Sequence, residues 1–113
     1  MKNKNLIDAT TNASNGLVVL FRDKAARREA LVLIASVAFL LVEVNSYTVA
    51  VFALSFVLLA LEAVNTAIEK LCDLHTMEFD ERIRDVKDVA AAAIMLVLSC
   101  QGILLLIWYS SVA

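Results

Sequence analysis

Proline is missing from the 113-residue chain, and glycine occurs only twice, at Gly16 and Gly102. Turn-rich β architectures need both residues for their tight reversals, so their scarcity argues for long, uninterrupted helices. Cysteine is equally sparse: Cys72 and Cys100 stand 28 positions apart, with no paired spacing and no Cys/His cluster, so neither a zinc site nor a disulfide framework is expected. His75, alone of its type, has no partner at metal-ligand spacing and is read as a solvated loop residue. Charge of one sign is not in excess either, with 10 Lys and Arg against 12 Asp and Glu and a net charge of −2, which gives no footing to nucleic-acid binding. No GxxxxGK loop is present, so any phosphate chemistry must be done without a P-loop. The polar start, Met1 to Asn5, is followed too late by an apolar stretch to read as a cleaved signal, and the spans themselves are expected to direct insertion.

What is abundant is hydrocarbon. Apolar residues make up 61% of the chain and the mean hydropathy is +0.79, against about 45–50% apolar residues in soluble domains. A chain this short buries only about 60–70% of its surface on folding, so a soluble core cannot hide the surplus. Lipid is the natural solvent. A soluble antiparallel bundle would need polar outer faces, and residues 89–98 offer none.

Three apolar runs organise the chain. Ala30 to Val42 ends at Glu43, Asn45 and Ser46; Tyr47 to Leu61 continues in helical register through Leu74; and Val89 to Tyr109 is interrupted only by Ser99 and Gln101. About 20 residues cross a hydrocarbon core of about 30 Å. The second and third runs reach that length, and the first does so if the residues around Arg27 to Glu29 snorkel at one end. The expected spans are 28–45, 47–72 and 88–110. Before them, residues 6–26 read as an amphipathic surface helix or as a basic flank to the first span. Arg22, Lys24, Arg27 and Arg28 precede the first span, and Lys70, Arg82, Arg84 and Lys87 lie between the second and third. The loop at 43–46 and the tail after Tyr109 carry no basic residue. The positive-inside rule therefore places the N-terminus and the 70–88 loop in the cytoplasm, with Trp108 and Tyr109 in the aromatic belt opposite.

Chemistry concentrates in residues 61–73. At about 100° per residue, Glu62, Glu69 and Asp73 fall within about 40° of one another and Asn65 about 60° from Glu62. Ionisable groups at a membrane helix end are expensive to keep and suggest function. Glu62, the deepest, suits a general base, because partial desolvation raises a carboxylate's proton affinity. Glu69, about two turns nearer the cytoplasm, suits a magnesium ligand beside nucleotide phosphates. Asp23 is a further acid on the same side, and Lys87 and Asp88 open the third span, where a lysine and a helix N-terminus favour phosphate. Asp73 also fits a plain solvated helix end. The small residues Ala63, Ala67 and Ala90 to Ala93 permit close helix approach.

The string Glu62-Ala63-Val64-Asn65-Thr66-Ala67-Ile68-Glu69, followed by Lys87-Asp88-Val89-Ala90-Ala91, resembles the bacterial membrane diacylglycerol kinase and undecaprenol kinase family over roughly residues 16–110. The resemblance implies an all-α membrane protein with three transmembrane helices and a surface helix, assembled as a homotrimer with active sites between subunits in the bacterial inner membrane. It implies a lipid kinase using Mg2+ and ATP, with Glu62 as catalytic base, Glu69 and Asp23 as metal ligands, Glu78, Lys87 and Asp88 against ATP, and Asn65 in support. Arg27-Arg28-Glu29 looks like the diacylglycerol branch, and Lys87-Asp88-Val89-Ala90-Ala91 more like the undecaprenol branch. Diacylglycerol is the first expectation and undecaprenol the alternative. Near the N-terminus one residue is missing between Gly16 and Asp23, and the family's Arg, Tyr and Trp have no counterpart among Asn5, Asn12 and Ser14. Two other classes compete: a small proton-coupled transporter, which would place its acid mid-span among four helices, and a membrane assembly factor, which would need no Lys-Asp pair at a set distance from Glu69.

Overall fold

The computed structural model describes residues 5–113 as four helices joined by short connections: α1 (Leu6–Leu20), α2 (Lys24–Val42), α3 (Ser46–His75) and α4 (Glu81–Val112). Among the described residues there is no strand. Each helix begins at a side-chain cap that takes up an otherwise orphaned backbone N–H. Asn5 accepts from the Asp8 amide at 2.9 Å, Asp23 from Ala25 at 3.2 Å, and Asp80 from Arg82 at 2.9 Å. Asn45 and Thr48 form a reciprocal capping box at the start of α3. The Thr48 hydroxyl also donates to the Glu43 carbonyl at 2.9 Å, so the α2–α3 hairpin is tied across three loop residues without glycine or proline. At the opposite end, the Arg82 side chain hydrogen-bonds Asp80 and holds its carboxyl below the usual carboxylate range.

The expected surface helix of residues 6–26 is shorter than the pattern suggested. It stops at Leu20, and a turn over residues 21–23 redirects the chain into α2. The reason is local: Asp23 is a better helix start than a helix interior, and its carboxylate and backbone restart the helix. The first expected span gains its early residues from this restart, since Lys24 and Ala25 are already helical.

α3 is the centre of the molecule, packed against α2 on one side and α4 on the other. Leu58, Thr48 and Ser55 on α3 are fully buried, as is Ala26 near the start of α2. Two polar side chains between α3 and α4 are paired: Gln101 on α4 donates to the Ser55 hydroxyl at 2.8 Å, and Ser55 donates to the Val51 carbonyl at 2.8 Å. Near the hairpin, Trp108 meets Phe39 edge-on at 5.7 Å and stacks on Tyr47 at 6.5 Å, clamping the ends of α2, α3 and α4 together. The outward faces are hydrocarbon, with Leu31, Ile34, Met95, Leu96 and Leu106 all exposed. α3 and α4 are each long and apolar enough to cross a membrane. α2 carries Lys24, Arg27, Arg28 and Glu29 in its first six residues, which leaves its apolar length shorter.

Replacing Gln101 by Leu removes an interhelical hydrogen bond without opening a large cavity. It should lower stability in detergent by about 0.5–2 kcal/mol, read from the shift of a thermal or denaturant unfolding curve, with helix content unchanged.

Candidate active site

The acids meet at the charged end of the α2–α3 hairpin. Because the two helices run back along each other from one short loop, residues at similar distances from the loop face one another. Glu29 lies 13 residues before the end of α2 and Glu62 16 residues after the start of α3, so at 1.5 Å per residue they sit roughly 20 and 24 Å from the hairpin. Glu62 is buried, 5% exposed, and lies within electrostatic range of Asp23, Glu29 and Glu69. Asp23 is half-buried at the turn before α2, and Glu69 is exposed one helical stretch beyond Glu62. Asp23 and Glu69 line one cavity of about 280 Å3 together with Val19, Arg22, Thr66, Lys70 and Asp73.

Asn65 organises the wall of this site. It is 8% exposed, and its amide donates to Glu69 Oε1 at 3.0 Å, fixing that carboxylate one turn away. The other side of the same amide, Oδ1, is shielded from solvent and has no hydrogen-bond partner. Such an orphaned oxygen beside a carboxylate is an invitation to a donor or a hydrated cation. Lys87 reaches from α4 to Asp73 on α3, 3.0 Å between Nζ and Oδ1. Asp73, on the Glu62 stripe at the end of α3, is thus the local partner of Lys87.

The structure does not gather every expected residue. The buried Glu62 does not line the Asp23–Glu69 cavity, nor do the exposed Glu78 and Asp88, and Lys87 is engaged at its margin through Asp73. Glu29, conversely, enters the acid group although sequence reading noted it only as part of the Arg27-Arg28-Glu29 string. Counting back from the hairpin would have found it, since its height along α2 matches that of Glu62 along α3.

A second, apolar crevice of about 410 Å3 adjoins the acidic one. It runs between α1 and α3, lined by Ala13, Gly16, Leu17 and Leu20 on one side and Ala63 and Ala67 on the other, and it shares Val19, Thr66 and Lys70 with the acidic cavity. Small residues open the space: nothing lies within 4 Å of where a Cβ on Gly16 would stand. An apolar slot leading to a cluster of carboxylates is the shape required to bring the polar head of an amphiphile to charged chemistry at a membrane edge.

Residues 11–109 match the family model for prokaryotic diacylglycerol kinase. The chain belongs to that family. It is an all-helical membrane protein of a lipid kinase family, and the match covers α2 and α3 whole, most of α1 and nearly all of α4. Neither the curated proteins nor the solved structures yield a match. For a kinase family the acidic cavity has a plain chemical sense. Among the described residues no three His, Cys, Asp or Glu side chains converge so as to enclose a cation by themselves. Mg2+ in nucleotide sites takes one or two carboxylates and completes its shell with phosphates and water. The Asp23–Glu69 pair, lining one cavity, fits that requirement as an open half-site.

Asp23 carries two separable duties, helix cap and charge. Asp23→Asn keeps a good N-cap and should leave thermal stability within about 0.5 kcal/mol of wild type, whereas Asp23→Ala should cost about 1 kcal/mol. Paired unfolding curves in the same detergent check both values.

Proposed function

We propose that this protein transfers the γ-phosphoryl group of Mg-ATP to the hydroxyl of diacylglycerol, giving phosphatidic acid. The observation that carries the reading is the continuity of the α1–α3 apolar crevice with the cavity that holds Asp23 and Glu69, one to two turns from the buried Glu62. The lipid chain is taken by the crevice and the nucleotide by the acidic cavity, and the hydroxyl to be phosphorylated lies between them.

Glu62 accepts the hydroxyl proton as the alcohol oxygen attacks. Its position suits the role: it is buried in α3 at the charged end of the hairpin, within electrostatic range of Asp23, Glu29 and Glu69. Asp23 and Glu69 would hold Mg2+, which supplies neutralisation of phosphate charge when bound. Asn65 keeps the Glu69 carboxylate oriented. Phosphoryl transfer relies on positioning and electrostatics more than on covalent work by the protein, so this small set is sufficient chemistry.

Lys87, Asp88 and Glu78 act on the nucleotide from a neighbouring copy of the chain. In one chain they stand outside the acidic cavity, and the wide apolar faces of α2 and α4 leave room for subunit contacts in the bilayer. The reading is therefore a homotrimer with composite sites and three spans per chain, α2 crossing with its charged first turns in the headgroup region. The distribution of Lys and Arg supports a cytoplasmic site in the inner membrane. The transporter reading loses ground because the acids cluster at one end of the bundle instead of mid-span. Undecaprenol, whose hydroxyl sits on a single long chain, is the alternative acceptor, on the strength of the Lys87-Asp88-Val89-Ala90-Ala91 string.

Purified protein in mixed micelles should phosphorylate diacylglycerol with Mg-ATP, and Glu62→Gln should cut turnover at least about a hundredfold while the protein stays folded by circular dichroism. Undecaprenol assayed in parallel decides the acceptor, and equal rates for wild type and Glu62→Gln would dismiss the base. Asp23→Asn should raise the Mg2+ concentration needed for half-maximal rate. If sites are shared, Glu62→Gln and Lys87→Ala subunits, each inactive alone, should recover measurable activity when co-assembled.

A further inference from the structure

Helical hydroxyls in hydrocarbon are ordinarily quenched by their own backbone. Ser55 and Ser99 donate to the carbonyl four residues back at 2.8 Å, and Ser36 to the carbonyl three residues back at 2.6 Å. Thr66 does otherwise. Its Oγ1 is shielded from solvent and has no hydrogen-bond partner, the Glu62 carbonyl included. Threonine in a helix has two accessible χ1 wells, and bonding to the preceding turn is available to it, so an unbonded hydroxyl here is a buried polar group that lacks its usual remedy. Its place is equally particular. Thr66 lines both the apolar α1–α3 crevice and the acidic cavity, one turn from Glu62 and one turn from Glu69.

We propose that Thr66 is a lipid-positioning residue, its hydroxyl hydrogen-bonding the acceptor hydroxyl of a lipid whose chain lies in the α1–α3 crevice. This rests on the lipid kinase reading above and adds to it the contact that sets the alcohol between base and nucleotide. The alcohol's one O–H proton is directed at Glu62, so its oxygen is left to accept, and the ionised carboxylates around it have no proton to donate to it. A neutral hydroxyl can both donate and accept, and it holds the alcohol without adding charge at a hydrocarbon edge. The small residues Ala63 and Ala67 line the crevice beside Thr66.

The test compares wild type, Thr66→Val and Thr66→Ser in micelles with diacylglycerol at varied mole fraction and Mg-ATP at varied concentration. Thr66→Val should raise the lipid KM roughly tenfold, the worth of one hydrogen bond, with the ATP KM unchanged, and Thr66→Ser should restore the wild-type lipid KM. An unchanged lipid KM in Thr66→Val, an equal rise in the ATP KM, or a Thr66→Ser enzyme as weak as Thr66→Val would overturn the proposal. Should Thr66→Val fold poorly by circular dichroism, Thr66→Ala against Thr66→Ser decides the same question. Wild type that transfers phosphate while Thr66 variants keep the lipid KM defeats this inference alone. Wild type that transfers phosphate to neither diacylglycerol nor undecaprenol defeats the kinase reading and this inference with it.

Discussion

Carboxylates at the edge of hydrocarbon are tolerated only where something holds them, and the α2–α3 hairpin is what holds them here. Taking an ionised group out of water costs several kcal/mol even after relaxation, so acids brought close together at this depth resist one another and resist burial. The hairpin overrides both penalties by packing. Its loop is fastened by the Asn45–Thr48 box and the Thr48 bond to Glu43, and its far end is thereby set in register, with Asp23 and Glu29 at the height of Glu62 and Glu69. The energy that keeps the acids together comes from the packing of α2 against α3, with Leu58 and Ala26 fully buried close to the acids.

The rest of the bundle serves that arrangement. α4 closes the other side of α3 and contributes the Gln101–Ser55 bond within the bundle and the Lys87–Asp73 pair near the charged end. The first is shielded and directional. The second is solvent-exposed on both sides, with side chains 38% and 48% accessible, so its contribution to stability is small and its value lies in where it parks a lysine. α1 adds no large packing surface. It covers the site laterally and leaves a slot beside it, an economical way to let an amphiphile slide from bilayer to acid cluster without opening the core to water.

That slot gives the lipid kinase reading its physical content. A soluble alcohol would need no apolar approach, and a transported ion would need a path through the bundle. A chain-bearing alcohol needs its tail to stay in hydrocarbon while its hydroxyl reaches charged groups, and adjoining crevices that share Val19, Thr66 and Lys70 meet that demand.

Helix number, the long apolar spans and the stripe of Glu62, Asn65, Glu69 and Asp73 were legible in residue order, because helical periodicity and hydropathy act over a few turns of one segment. Even the role of Asn65 beside Glu69 follows from four-residue spacing. The break at residues 21–23 was harder to see, since Asp23 suits a cap and an amphipathic pattern alike, and only the restart of the helix decides between them. Glu29 joining Glu62, Lys87 choosing Asp73, and the crevice between α1 and α3 belong to pairs of helices. Those contacts depend on where a hairpin turns and which faces pack, and such choices come from the whole bundle minimising exposed backbone and unpaired charge together, a sum over distant residues that no single stretch of sequence contains.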